Sequence, residues 1–570
     1  MIAAKITSIL LLFSLTNLSL QDGQSPTVNT PLGNLIGTYK ISRHGKKYQA
    51  FEGVPYAEPP VGKLRFQPPK PVQSWGGNLS ATKKGSICTQ YLMKEMAVKG
   101  DRVVGCEDCL YINIYVPVRE NNEKLIPVMF WIHGGAYQFG SGNYANETLL
   151  MDENIVLVTV NYRLGPFGFL STGDSVVPGN MGLKDQSVAL RWVHDNIKNF
   201  GGDPAQITIF GINAGGSSVH YHYMTSWSAN LFQRGLSISG VALDPWAQTK
   251  KAPQKAKKLG ELMGCSTANL NETINCLQNR PARLISEAVG KFMYWLYNPF
   301  TPFGPVVEKQ GPNPFMSESP INIIVQGKVA NVPWISGVVS EEGLFPAGEF
   351  VNDDQLLKQL NDNWDDIAPY LLDFNDTLPV SQHKVVADKI RKHYLGSKEI
   401  NAATVMPLIH MIGDRLFAVD FEKAARLQAK VNKSPVWCYR YTYRASRSIS
   451  NFISSTKNFG VSQGDDIFLV IGTELLATTS SQDNAMQRLL VEFYTSFAIE
   501  GKPHVGNATW VELKHDDKSF RYLHIAAPGK VCMHSDDNFA HKKFWDTIKF
   551  KENRVCRKNP GKKLGKQKIK

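Results

Sequence analysis

One strand–turn–helix segment has the composition of a site for acyl-transfer chemistry. The apolar run at residues 206–210 predicts a strand, and Gly211-Ile-Asn-Ala-Gly215 follows it directly. The next run, Gly216-Ser-Ser-Val-His220, is compatible with a helix. Glycines are needed at such a turn because the strand and helix backbones pass close together. The pattern is typical of a nucleophile elbow, a strained turn that exposes one reactive side chain at the end of a strand.

The segments around this turn alternate between strand and helix patterns. Residues 110–116, 128–132 and 155–162 are short apolar runs rich in β-branched side chains, which is typical of buried strands. Residues 185–199 carry apolar side chains at helical spacing. Strands that alternate with helices predict an α/β fold with a large, mostly parallel central sheet flanked by helices.

Length and composition indicate the domain organisation. The chain has 570 residues, of which 43% are hydrophobic, so it can bury a large core and is not wholly disordered. Lys5 and the apolar run 6–20 predict a secretory signal peptide over residues 1–20. One domain is expected over residues 21–548, followed by a basic, disordered tail at 549–570. The tail holds ten Lys or Arg and one acid, and therefore carries most of the net charge of +13.

Other features favour a secreted, extracellular protein. The eight cysteines indicate disulfides without giving their pairing, and their spacing predicts no metal site or other cofactor. Beyond the leader no run reaches roughly eighteen uninterrupted apolar residues, so no transmembrane anchor is expected. Nucleic acid is not an expected partner of a secreted chain. The predicted glycosylation sites are Asn78, Asn146, Asn271, Asn375 and Asn507.

Several further motifs, in order along the chain, resemble the type-B carboxylesterases, the family of insect esterases and cholinesterases. The family's two signatures are similar to Phe51-Glu-Gly-Val-Pro-Tyr-Ala57 and Glu107-Asp-Cys-Leu-Tyr111. Its oxyanion-hole loop is similar to Trp131-Ile-His-Gly-Gly-Ala136. The resemblance covers residues 25–548 and implies the α/β-hydrolase fold.

The resemblance also pairs four of the cysteines. It implies the disulfides Cys88–Cys109 and Cys265–Cys276. Cys106 stands where the family usually has serine, so it could compete with Cys109 for a partner. The cysteines left without an implied partner are Cys438, Cys532 and Cys556.

At the reactive positions, the resemblance implies that two of three side chains are lost. The family uses a serine nucleophile, a histidine that shuttles the proton and a carboxylate that orients the histidine. Here these positions hold Asn213, Gln463 and Glu342. An amide nitrogen is a very poor nucleophile, and glutamine cannot take up a proton near neutral pH. Side chains on the following helix that could substitute for them are interpreted as structural: Ser217, Ser218, His220 and His222.

The oxyanion-hole loop is expected to be intact. The resemblance implies that its donors are the backbone N–H groups of Gly135, Ala136 and Ala214, and that Gly134 supports the turn. Backbone donors survive the replacement of side chains. The pocket is therefore expected to hold a carbonyl or carboxylate oxygen without transforming it.

The two carboxamides could form a hydrogen-bonded network with the remaining acid. Asparagine tolerates the positive φ of an elbow better than most residues. Gln463 has two N–H donors, and we expect one to bind Glu342 and the other the side-chain carbonyl of Asn213. Such a network would satisfy the buried polar groups and remove the group that titrates near pH 7.

Three functions are compatible with this sequence. The first is a secreted carboxylesterase-like protein without esterase activity that binds a hydrophobic, ester-like ligand or an extracellular partner protein. The alternatives are an active carboxylic-ester hydrolase and an extracellular adhesion or matrix protein. The basic tail is either a solvated extension or a contact for an anionic surface, such as sulfated glycan or phospholipid headgroups.

Overall fold

A computed structural model places most of the chain. The predicted signal peptide, Cys556 and the greater part of the predicted basic tail lie outside the described residues. The described ranges are 25–120, 124–309, 311–453, 457–472 and 480–555.

The strands of these ranges follow the β-branched apolar runs of the sequence. Each run predicted as a buried strand is confirmed, with small shifts at the ends. The strands are β1 (Thr27–Thr30), β2 (Gly33–Ile36), β3 (Thr38–Ile41), β4 (Lys47–Pro55), β5 (Asn78–Ser80), β6 (Gln90–Tyr91), β7 (Val103–Val104), β8 (Tyr111–Pro117), β9 (Ile126–Ile132), β10 (Val156–Val160), β11 (Gly202–Ile212), β12 (Arg234–Ile238), β13 (Trp334–Val339), β14 (Val436–Tyr441), β15 (Phe520–Ala527) and β16 (Lys530–Asp536).

The helices lie mostly between consecutive strands of the main sheet. They are α1 (Gly165–Phe169), α2 (Met181–Asn196), α3 (Ala214–His222), α4 (Ala252–Leu262), α5 (Leu270–Gln278), α6 (Ala282–Ala288), α7 (Pro320–Val325), α8 (Leu344–Ala347), α9 (Asp354–Asp362), α10 (Trp364–Leu371), α11 (Val380–Leu395), α12 (Val405–Gly413), α13 (Val419–Val431), α14 (Ser450–Ile453), α15 (Phe468–Ile471), α16 (Ser481–Glu500) and α17 (Lys542–Trp545).

Eleven strands of the described ranges form one twisted central sheet. Its order is β16-β15-β14-β13-β12-β11-β9-β10-β8-β4-β3. The pairs from β10–β9 across to β14–β15 are parallel, and antiparallel strands lie at both edges. Parallel neighbours need crossover connections, which the helices supply. The α/β-hydrolase fold expected from the sequence is confirmed.

Apolar side chains cover both faces of this sheet. Successive residues of β9 alternate between the two buried clusters, with Phe130 in one and Trp131 in the other, because the side chains of a strand point to opposite faces. One helical stretch, Ala402–Val431, is long and apolar enough to cross a membrane by composition. Within this stretch, 56% of the most apolar 18-residue segment is buried inside the protein. Its C-terminal part, α13, packs on β13 and β14, so the stretch is buried as a core helix is.

The glycines after β11 are required by contact distances. A Cβ added to Gly215 would lie 1.9 Å from the carbonyl oxygen of Ile132, and one added to Gly216 would lie 2.6 Å from that of Ile238. Helix α3 can therefore begin directly against the ends of β9 and β12 only because these positions have no side chain. This contact holds the turn at residue 213 over the carboxyl edge of the sheet.

The disulfides Cys88–Cys109 and Cys265–Cys276 are formed, which confirms the pairing implied by the resemblance. Cys109 rather than Cys106 is the partner of Cys88. Cys106 carries an exposed thiol, and the thiols of Cys438 and Cys532 are buried and exposed, respectively.

Gly215→Ala is expected to lower the free energy of unfolding by about 2–4 kcal/mol, because the added methyl group overlaps a backbone oxygen that cannot move. Chemical unfolding measures this loss. The control is Gly396→Ala, where a Cβ meets open space and only the positive φ is unfavourable, at about 1 kcal/mol. Equal losses in the two variants would contradict the close approach.

Candidate functional site

Asn213 occupies a strained turn between β11 and α3. Its backbone has φ +54° and ψ −118°, and its N–H donates to the carbonyl oxygen of Ile238 at 2.9 Å. A positive φ is uncommon outside glycine, and asparagine is among the residues that accept it best. The elbow geometry expected from the sequence is therefore present, with a carboxamide at its tip.

The three positions expected to carry chemistry are brought together in one buried hydrogen-bonded chain. Asn213 Nδ2 donates to Gln463 Oε1 at 2.8 Å, and Gln463 Nε2 donates to Glu342 Oε2 at 2.8 Å. The other oxygen of Glu342 accepts the backbone N–H of Val339 at 2.9 Å. All three side chains are at most 3% exposed, so the contacts form away from water.

The expected direction of one hydrogen bond is wrong. The sequence predicts that Gln463 donates to the carbonyl of Asn213, whereas Asn213 donates to Gln463 Oε1. Besides its bond to Glu342, Gln463 Nε2 donates to the carbonyl oxygen of Ser239 at 3.3 Å. The reason lies on the other side of Asn213. Its Oδ1 already accepts from the backbone N–H groups of Ala136, at 2.8 Å, and Gly135, at 3.3 Å.

This contact also corrects the expectation for the oxyanion hole. Gly135 and Ala136 were expected to offer free N–H groups to a ligand oxygen, but Asn213 Oδ1 lies against both of them. Ala214, the third expected donor, is the first residue of α3, and Gly134 lines the cavity beside it. A ligand carbonyl can reach the first two donors only after the Asn213 carboxamide moves.

An apolar gorge opens above this chain. Its cavity volume is about 470 Å³, which suits a ligand of drug-like size. Asn213 and Gln463 lie at its base, and Glu95 contributes a carboxylate to its lining. The apolar residues of the wall are Met96, Trp131, Phe139, Ala145, Ile212, Phe345, Ile449, Phe468 and Ile471.

The titratable groups around the base differ from those of a proton-shuttling site. Burial raises the pKa of Glu342 to about 7. His133 lines the gorge, but burial lowers its pKa to about 4, and its Nδ1 is 2.8 Å from the carbonyl oxygen of Gly134. Neutral His133 is held by this contact and by stacking on Tyr162, at 4.3 Å between ring centroids. It therefore has a structural role in the loop.

The hydroxyl and imidazole side chains on α3 that could replace the lost nucleophile and base are buried in the interior of the protein. Burial lowers the pKa of His220 and of His222 to about 3, so neither is a base near neutral pH. His222 contacts Gln186 and Ser228, and the ring of His220 stacks on Trp334. These contacts agree with the structural interpretation made from the sequence. The buried hydroxyls are Ser217, which contacts Tyr137, and Ser218, which accepts from Gln186.

The predicted glycosylation sites differ in accessibility. Asn78, Asn271 and Asn507 are exposed, and Asn146 and Asn375 are half-buried. Asn146 Oδ1 accepts from the backbone and hydroxyl of Thr148, so this side chain is engaged within its own turn. Glycosylation stays a prediction at all five positions.

Comparison with known proteins gives close matches over nearly the whole chain. The model of the carboxylesterase family matches residues 24–545. A "Carboxylic ester hydrolase" of Bombus ignitus is 61% identical over 548 residues, covering 96% of this chain and 98% of that protein. "Venom carboxylesterase-6" of Apis mellifera is 62% identical over 553 residues, covering 97% and 99%. The crystal structure of juvenile hormone esterase from Manduca sexta, with OTFP covalently attached, has a TM-score of 0.79, 25% identity, and coverage of 92% and 99%.

Glu342→Gln is expected to remove one contribution to the pH dependence of stability. The folded-state pKa of Glu342, about 7, lies above the ordinary value of 4.5, so the folded protein holds this proton more tightly than the unfolded chain. The contribution is full below about pH 4.5 and is lost as the pH rises through about 7. As the pH rises between these limits, the free energy of unfolding of the wild type should fall by about 3 kcal/mol relative to that of the variant. Chemical unfolding at each pH measures this difference.

Glu341→Gln is the matched control, because the pKa of Glu341 is shifted in the opposite direction to that of Glu342. Burial alone would raise the pKa of Glu341, but hydrogen bonds from His410, Ser340 and the backbone of Val461 lower it below its usual value. Its contribution is present above the unfolded pKa and is lost as the pH falls. Parallel profiles for wild type and Glu342→Gln would contradict the raised pKa.

Proposed function

Because the chain belongs to the carboxylesterase family, we propose that it is a secreted member that binds a hydrophobic, ester-like ligand in its gorge without cleaving it. The observation that supports this proposal is the position of the Asn213 carboxamide. It stands where the family has its nucleophile, and its oxygen lies against the N–H groups of Gly135 and Ala136. The ligand would be held mainly by the apolar wall.

Ester cleavage requires three elements, and each is changed in this site. The carboxamide of Asn213 cannot attack, and Gln463 cannot relay a proton. Two donors of the oxyanion hole are engaged with Asn213, and loss of a single such donor typically slows an enzyme by about 10²–10³-fold. Enzymes stripped of a reactive side chain retain only about 10³–10⁴-fold over water. Binding without turnover is the function that this geometry supports best.

The second candidate function is carboxylic-ester hydrolysis. The names of the relatives favour it over the first, since proteins 61% and 62% identical to this chain are called carboxylic ester hydrolase and venom carboxylesterase. In this chain, hydrolysis would require the Asn213 carboxamide to leave the oxyanion hole. The freed N–H donors would then bind the carbonyl oxygen of the ester, and a water molecule would attack the carbonyl carbon, with its proton passing to the leaving alkoxide.

An extracellular adhesion or matrix role is the third candidate, and the apolar gorge favours ligand binding over it. An extracellular location is part of the proposal. It rests on the leader pattern, on the exposed sequons and on the venom named for one relative. Contact of the basic tail with an anionic surface stays a prediction, because most of that tail lies outside the described residues.

Purified wild-type protein is expected to hydrolyse neither nitrophenyl acetate nor naphthyl acetate faster than a heat-denatured sample. A fluorophosphonate probe, which labels activated serine hydroxyls, should leave no adduct detectable by intact-protein mass spectrometry. Both expectations follow from the side chains at the base of the gorge, where carboxamides stand in place of a nucleophile and its base. Turnover above the denatured control would support the hydrolase candidate instead.

The double variant Asn213→Ser with Gln463→His is expected to gain esterase activity and fluorophosphonate labelling. The two changes restore a hydroxyl beside an imidazole and empty the oxyanion hole, while Glu342 is already in place to orient the new ring. Its rate should exceed that of either single variant by at least about 10²-fold, the usual contribution of a general base. Each single variant serves as a control. A well-folded double variant without activity would contradict an otherwise preserved site.

A further inference from the structure

The hydrogen-bonded chain at the base of the gorge has one polarity along its whole length. It runs from the backbone N–H of Ala136 through Asn213 and Gln463 to Glu342, and each amide accepts on one side and donates on the other. A backbone N–H can only donate, and an ionised carboxylate can only accept. The two ends therefore fix the orientation of both carboxamides between them.

Protonation of Glu342 changes the acceptor at the end of this chain into a group that can also donate. Oε1 accepts the backbone N–H of Val339 and Oε2 accepts from Gln463 Nε2, so a proton that Oε2 directs at Gln463 places two donors against each other. Gln463 must then turn its oxygen to the acid and its nitrogen towards Asn213. Asn213 would then have to turn its oxygen towards Gln463, and an oxygen turned that way cannot also face Gly135 and Ala136 on the opposite side of the carboxamide.

We propose that uptake of a proton by Glu342 draws Asn213 Oδ1 out of the oxyanion hole and opens this hole to the carbonyl oxygen of a neutral apolar ketone or ester. While Glu342 is ionised, the gorge holds its ligands through apolar contact alone. The inference rests on the proposed function, since the ligand is one that the gorge binds without cleaving. It makes Asn213 the residue that determines which ligand chemistry the gorge accepts.

The surroundings of Glu342 allow this proton to exchange within the physiological range. Burial places the pKa of Glu342 at about 7. Glu342 lines a second cavity of about 50 Å³, whose lining residues differ from those of the gorge. The titratable or charged groups around Glu342 are Glu341 beside it, Asp244 and Asp466 on neighbouring loops, and His410, Asp414 and Arg440 along this second cavity.

Two other carboxyls near the gorge, Glu349 and Asp465, have pKa values raised towards this range, and Glu349 serves as the control. Burial raises the pKa of Glu349 to about 7, and this group lies close enough to Glu95 of the gorge lining to interact with it. Glu349 is not part of the amide chain, so its proton has no contact through which to move Asn213. Glu349→Gln therefore separates a general change of charge from the proposed movement.

The experiment uses the full-length protein and an apolar fluorescent reporter, N-phenyl-1-naphthylamine, displaced by methyl heptyl ketone or by nonane at about pH 6 and pH 8. The ketone has no titratable group. It has nine carbons like nonane, and its carbonyl replaces one methylene of the hydrocarbon. Wild type is expected to bind the ketone about tenfold more tightly at pH 6, which is what one or two neutral hydrogen bonds contribute. Nonane should bind equally at both values.

Variants test each step of the coupling. Asn213→Ser leaves the hole open, so tight ketone binding is expected at both pH values, and Asn213→Gly repeats the test with a residue that accepts the positive φ. Gln463→Met removes the amide that transmits the change, and Glu349→Gln leaves it in place. Gln463→Met should abolish the pH dependence of ketone binding, and Glu349→Gln should keep it.

The outcomes separate this inference from the proposed function. Equal ketone affinity at both pH values in wild type, with both ligands displacing the reporter, overturns the gating and leaves binding without cleavage intact. A pH dependence that survives Gln463→Met also overturns the gating, because the signal then bypasses the amide chain. Displacement by neither ligand overturns both proposals.

Discussion

A buried backbone N–H needs an acceptor, and two such groups at the base of the gorge constrain everything around them. The loop that carries Gly135 and Ala136 is held with positive φ at both residues, 110° and 55°, which aims their N–H groups at the tip of the neighbouring turn. An unpaired buried donor costs about 1–3 kcal/mol. Asn213 supplies the acceptor from its own side chain. Once its oxygen is committed to the loop, its nitrogen must donate, Gln463 must accept, and the nitrogen of Gln463 must face Glu342.

The three residues therefore act as one structural unit and not as three independent replacements. A carboxamide is a neutral group that donates and accepts at once, so two of them in series can link fixed donors to a buried acid without adding charge. A serine and a histidine in the same places would leave the loop donors open to solvent or ligand and would add a group that titrates. The two carboxamides thus pair the loop donors with a buried acid, and the strained φ of +54° at the elbow is kept because the glycines of α3 hold the turn against the sheet.

The sequence predicts those parts of this arrangement that local spacing determines. The strands and the glycine-flanked turn follow from motifs that are contiguous in the chain, whereas the two disulfides and the three residues at the reactive positions follow from the family resemblance. The closed hole does not, because it depends on a contact between Asn213 and a donor 77 residues earlier. The count of donors and acceptors in the sequence predicts that Gln463 donates to Asn213, and the position of Ala136 reverses this direction because its N–H occupies Asn213 Oδ1. The second cavity at Glu342 escapes sequence reasoning for the same reason, since His410 and Asp414 reach it from one helical stretch and Arg440 from β14.

Family membership and site chemistry carry different kinds of information here. Identities of 61% and 62% with proteins named as esterases show the family, whereas the chemistry of the site depends on the side chains of Asn213, Gln463 and Glu342. The gorge itself adds an independent argument for ligand binding. Aromatic and aliphatic side chains from several separate segments line a cavity of about 470 Å³ that they do not fill. Apolar surface left exposed in a cavity forfeits about 25 cal/mol of burial free energy per Å², so a purely structural protein would gain stability by closing it. A ligand that covers this wall would recover that free energy, which supports the proposal that the gorge binds one.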